Sequence, residues 1–371
     1  MCRNVADAAT ILSVIAGPDP LDNFTLVQPM PVPDFSQALK RNALKGARLG
    51  VPRLFQGGDP NIIASFNASL EIIKELGATI VDPADFPDAA ELRASLNESL
   101  VLSVDFKVRC ALTQISHKDI YDLSQVDINN YIAGLVEVPT GVKNLADLIT
   151  FNTEHAALEL IPPFYTSQSQ WVFSHESESP WTQDSSNDRF ITSEATTVNA
   201  SFFKALAADN DLGRTRGIDG TLKKFNLDAL LLPTNGMSFL DLVKAVKHPP
   251  NNFKGFTSTP AAIAGYPVVT GETFQLIASC TVFEHSIEVP LGFQPDSVVP
   301  TPANPVIADA PGIPFGISFM GTAFSEFKLI SYAFAYEQNT HNRLKRLAFP
   351  AAIPKTQLKD VIGREWNLCQ G

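Results

Sequence analysis

Apolar positions recur along this chain with two periods. Val5, Ala9, Leu12 and Ala16 return at helical spacing, with Ala8 and Ile15 beside them, and Gly17 and Pro18 stop the run. Only four residues precede this apolar face, so a helix here has to pack against material from elsewhere in the fold. GARLGVPRLF (Gly46 to Phe55) reads as a short strand leaving a turn. NIIASFNASLEIIKELGA (Asn61 to Ala78) puts Ile62, Phe66, Leu70, Ile73 and Leu76 on one helical face and stops at Gly77. TIVDP follows as a second strand, and LKKFNLDALLLPT (Leu222 to Thr234) repeats the helix-to-strand step. GIPFGISFMG (Gly312 to Gly321) is a further glycine-bounded apolar strand. SEFKLISYAFAYEQNT (Ser325 to Thr340) is a closing helix with Leu329, Ala333, Tyr336 and Thr340 on one stripe. The Pro-rich stretch from Val298 to Pro314 predicts an extended surface connection. Strands and helices in this order argue for an α/β layer fold, a mixed β-sheet covered by helices.

Composition narrows the picture. The 371 residues are 45% hydrophobic and 18% charged, ordinary for a globular chain large enough to bury a core without covalent staples. A formal charge of −11 disfavours nucleic acid and anionic membranes as partners. No apolar run reaches the ~18 residues of a membrane span. The N-terminus does not make a convincing signal peptide, since Asp7 interrupts its apolar stretch and Arg3 is its one positive charge. Cytoplasm is the default location, although a targeting segment upstream of Met1 would change it. Cys2, Cys110, Cys280 and Cys369 form no metal-ligand spacing, which points to reduced or buried thiols. Sequons at Asn23, Asn67, Asn97 and Asn199 would matter only in a secreted protein. The six histidines (117, 155, 175, 248, 285 and 341) form no HExxH motif and no H-x-x-x-H pair, and no metal site is expected. No GxSxG elbow supports a Ser-His-Asp triad.

Several blocks together carry a family resemblance. RNVADAATILSVIAGPDPLD (Arg3 to Asp22) resembles the helix and turn that follow the catalytic core of the amidase signature family. LDALLLPT (Leu227 to Thr234), PAAIAGYPVVT (Pro260 to Thr270), APGIPFGISFMG (Ala310 to Gly321) and FSEFKLISYAFAYEQNTHNR (Phe324 to Arg343) look like later blocks of it, in the family's order. KNLADLITFN (Lys143 to Asn152) and LGRTRGIDGTLKKFNLDALLLPT (Leu212 to Thr234) are most similar to its fungal and bacterial amidase branch. The resemblance implies an amidase-like α/β core, a small-molecule amide substrate, kinship with the glutaminase component of transamidosomes, and no cofactor. It leaves the oligomeric state open.

The family's catalysis rests on a nucleophilic serine activated by a second serine and a lysine, because a serine hydroxyl attacks poorly until a base lies within hydrogen-bond reach. This sequence departs from that pattern. The Gly/Ser-rich signature is absent, GG occurs only at Gly57-Gly58, and the resemblance places both serines and the lysine upstream of Met1. No catalytic residue is therefore assigned. The expectation is a partial amidase-like domain over residues 1–371, lacking its N-terminal part, inactive by itself and poorly soluble through exposed apolar faces. Rival readings are a pseudoenzyme or pseudogene product, and a non-catalytic binding module. The candidate substrate-binding residues are Thr234 and Asn235, which follow an apolar strand at the position where ligand-lining loops emerge from an α/β sheet.

Three stretches interrupt the resembled blocks: Val108 to Gln125, Trp171 to Asn187, and Gly271 to Glu288. Together they hold 53 residues, with two of the four cysteines, two of the three tryptophans and three of the six histidines. That enrichment in rare residue types is foreign to its surroundings. The stretches read either as retained introns in a conceptual translation or as lineage-specific surface loops. The third is the most disruptive, because AGYPVVT and VPLGF look like the halves of one strand buried on both faces.

Overall fold

A computed structural model of the chain describes residues 2, 4–20, 25–56, 59–94, 127–160, 194–195, 199–234, 259–269, 289–300 and 310–346. Its helices are α1 (Val5–Ile15), α2 (Pro60–Glu75), α3 (Ala89–Ala94), α4 (Asp127–Gly134), α5 (Leu145–Glu154), α6 (Ala156–Glu159), α7 (Ala200–Asn210), α8 (Asp219–Phe225), α9 (Thr259–Ala264) and α10 (Glu326–Thr340). A π-helical segment, Asp211–Ile218, joins α7 to α8. The strands are β1 (Arg48–Gly50), β2 (Thr79–Val81), β3 (Ala229–Thr234), β4 (Val268–Val269), β5 (Pro290–Phe293) and β6 (Pro314–Met320).

The six strands form one mixed sheet in the order β2-β1-β3-β6-β4, with β5 also paired to β6. β1 runs parallel to β2 and β3, whereas β6 runs antiparallel to β3, β4 and β5. Alternation along β3 and β6 divides the core in two. Ala229, Leu231, Phe315, Ile317 and Phe319 face a layer built from α1, α2 and α10. Leu230, Leu232 and Met320 face a second layer that includes Phe55, Phe86, Leu212, Ile218, Ala261 and Ala264.

Local chemistry explains where elements begin and end. Asp59 caps α2 by accepting hydrogen bonds from the backbone N–H groups of Asn61 and Ile62, and Pro60 occupies the first turn, where its missing N–H costs nothing. Gly77 leaves that helix at φ +94°, a conformation that favours glycine. The predicted strand from Gly46 to Phe55 is only three residues long in the structure. Pro52 has no N–H for a ladder, and Arg53–Phe55 instead form a 3-10 turn whose Leu54 N–H donates to Asp85. Gly213 permits a close crossing of the π segment and α9, since a Cβ there would lie 2.9 Å from the Ala264 nitrogen. Arg216 pairs with Asp211 at 2.6 Å, Asp88 at 3.0 Å and Glu91 at 2.8 Å, fastening α3 to the π segment.

The two terminal helices meet as their periodicity requires. α1 buries Val5, Ala8, Ala9 and Leu12, while Ile15, expected beside that face, is exposed together with Ile11 and Val14. The helix packs on α10 and on the 3-10 turn Phe35–Ala38. At its start, the Val5 N–H donates to the carboxylate of Glu337, which is buried on α10. α10 is enclosed on more than the predicted stripe: Leu329, Ile330, Tyr332, Ala333, Ala335 and Tyr336 are all buried, and Thr340 is half-buried. Tyr336 shares its hydroxyl with Ser69 at 2.7 Å and accepts from the Asn342 amide at 3.1 Å, so its polar end is satisfied inside the core.

Candidate functional site

β1, β2 and β3 run in the same direction, so their C-terminal ends share one edge of the sheet. This is the edge at which α/β sheets present ligand-contacting loops. Thr234 is the last residue of β3, half-buried after five buried positions. It faces the same side as Leu230 and Leu232, following the alternation of the strand. Its hydroxyl lies 2.5 Å from that of Ser318, and either can donate. Ser318 is 2% exposed, a hydroxyl within an otherwise apolar strand face. Thr234 pairs in register with Gly316 and Leu232 with Ser318, so the two hydroxyls meet diagonally across neighbouring strands. A hydroxyl can act both as donor and as acceptor. It is not a nucleophile unless a base activates it.

Of the two residues singled out from sequence, Thr234 stands at the predicted strand end, and Asn235 lies outside the described residues. Ser318 was not anticipated. The available signal was its position as the one hydroxyl in β6. The three interrupting stretches also lie outside the described residues.

A second polar cluster occupies the opposite edge, beyond Met320, where β3 begins. Asp219, the first residue of α8, accepts from the Tyr266 hydroxyl and from the Thr322 hydroxyl, each at 2.6 Å. The Arg214 guanidinium lies 5.7 Å from the centre of the Tyr266 ring, and its Nε donates to the Ala264 carbonyl at 2.6 Å. Burial, followed by the adjoining Asp219 carboxylate, pushes the Tyr266 hydroxyl up to about 12. Both Asp219 oxygens are engaged, and the residues come from three separate segments. This cluster is a tie across the layer, on the edge away from the C-terminal ends of β1, β2 and β3.

A shallow depression of about 390 Å³ between Ala146 and Ile149 of α5 and Glu194 and Ala195 takes no residue from the sheet. Among the described residues no group of three His, Cys, Asp or Glu side chains is placed to hold a metal ion, and no helix is long and apolar enough to cross a membrane.

The arrangement has known counterparts. Residues 1–330 match the family model described as Amidase. A protein of Arthroderma benhamiae named as an amidase is 29% identical over 367 residues, covering 98% of this chain and 49% of that one. The native peptide amidase of Stenotrophomonas maltophilia shares the fold with a TM-score of 0.60 and 27% identity, covering 92% of this chain and 53% of that one. A stretch of 85 residues, 22% of this chain and 17% of the relative, is 44% identical to a glutamyl-tRNA(Gln) amidotransferase component of Salinispora tropica. The chain spans about half the length of the relatives that match it almost throughout. A family match over most of the sequence and a mixed α/β sheet shared with a peptide amidase lead to one conclusion: the chain belongs to the amidase family, with the fold of the amidase signature enzymes.

Proposed function

We propose that this chain is the sheet-completing, pocket-walling C-terminal portion of a carboxamide C–N hydrolase, and that it does not hydrolyse amides by itself. One observation carries the reading. Alignment uses 98% of this chain but only 49% of the Arthroderma benhamiae relative, and the 371 residues contain no Gly/Ser-rich run of the kind that supplies a Ser–Ser–Lys cluster. Acyl transfer from an amide needs an attacking hydroxyl, a base to take its proton, and donors aimed at the developing oxyanion. The Thr234–Ser318 pair provides hydroxyls at the ligand edge. On this reading Thr234 and Ser318 belong to the wall of the substrate pocket.

The experiment is a carboxamide hydrolysis assay on the purified 371-residue protein, with and without a serine-reactive inhibitor. No turnover above the buffer rate is expected. Turnover that the inhibitor abolishes would overturn the proposal.

A further inference from the structure

β4 and β5 are separate in sequence but lie end to end along the same side of β6. Val268 pairs with Met320 and Val269 with Phe319, and Pro290 then pairs with Gly316. Between these pairs the Ile317 N–H donates to the Val289 carbonyl at 3.1 Å. Along β6 a single position, Ser318, therefore separates the partners of Val269 and Val289. Nineteen residues, 270–288, separate those same two valines in the chain. A continuous strand would need one residue between those valines, and the sequence holds eighteen more than that.

Two further properties stay in phase across the gap. The Gly321 N–H donates to the Pro267 carbonyl at 3.3 Å, and the next such bond at the far end is that from Ile317 to Val289. These bonds are four β6 positions apart, as the alternation of bonded and non-bonded pairs in an antiparallel ladder requires. Side-chain direction is also kept. Val269 and Val289 both enter the core layer of α1, α2 and α10, as alternate residues of one strand would. Leu291, at the bulge that shifts the register between Pro290 and Gly292, enters the same layer.

We infer that β4 and β5 are one strand into which Gly271–Glu288 has been inserted, and that this segment can be removed without changing the fold. Its length is the one that preserves pairing, hydrogen-bond phase and facing together, because a count differing by one residue turns every following side chain to the other face. The one row left between the partners of Val269 and Val289 is that of Ser318, the hydroxyl partner of Thr234. Excision thus closes the strand beside the candidate site.

Two deletions test this. Removing residues 271–288 leaves Val289 opposite Ile317 and in the core. Removing residues 271–287 puts the Glu288 carboxylate into that buried row and turns Val289 to the opposite face of the sheet. The first variant is expected to unfold cooperatively at or above the parent's Tm with at least the parent's soluble yield, and the second to fall below it by about 5 °C or more. Equal behaviour of the two deletions, including equal failure to give soluble protein, would overturn the inference. So would a first variant less stable than the second.

Discussion

At the scale of single residues, the polar side chains divide by the edge of the sheet on which they sit. Asp219 holds Tyr266 and Thr322 at the edge where β3 starts, whereas Thr234 and Ser318 meet at the edge where it ends. The first group should affect stability and the second function. Replacing Tyr266→Phe deletes a 2.6 Å donor to a carboxylate, and hydrogen bonds to charged groups contribute about 1.5–3 kcal/mol. Because Thr322 still serves Asp219, a loss near the lower figure is expected, read from chemical denaturation with an unchanged slope. A variant as stable as the parent would show that the cluster is not a tie. Thr234 was legible in the sequence because a residue after a buried apolar run marks a strand end. Ser318 was not, because its partner is 84 residues away and only the antiparallel register of β3 and β6 brings the hydroxyls together.

At the scale of elements, helices were read more faithfully than strands. α2 and α10 follow their apolar spacing to within a few residues; Gly77, the stop read from the sequence, ends α2, and Asp59, which the spacing did not single out, caps its start. β1 is shorter than its apolar run because the run contains Pro52, whose missing donor matters only once the neighbouring strands are known. The contact between α1 and α10 depends on a group the periodicity could not reveal: Glu337, accepting from Val5 at the start of α1. Burial raises the Glu337 carboxyl above its usual 4.5, against the smaller opposing effect of the Val5 N–H. A carboxyl whose folded value is raised binds its proton more tightly when native. Its contribution is therefore complete below pH about 4.5 and is lost as pH rises through the raised value. Glu337→Gln keeps an acceptor for Val5 without the buried charge. The variant should gain Tm relative to the parent above that raised value, and the gain should shrink as pH falls through it. A gap that is constant with pH would show that Glu337 does not titrate in this window.

At the scale of the whole molecule, the layered sheet follows from the alternation of apolar strands and amphipathic helices, and its likeness to a peptide amidase agrees with the sequence blocks. Strand order was not legible from the pattern, since nothing local in β6 specifies that it should run antiparallel between β3 and the β4–β5 pair. The exposed side of α1 presents Ile11, Val14 and Ile15. On the proposed reading this apolar face belongs against the portion of an intact hydrolase that this chain does not match. That reading stands or falls on whether an activated serine exists within these 371 residues. Treating the purified protein with a fluorophosphonate probe and weighing the intact chain decides it. An unmodified mass is expected after prolonged incubation, under conditions in which a complete amidase labels fully. A stoichiometric adduct, mapped to one serine and prevented by prior unfolding, would contradict the reading.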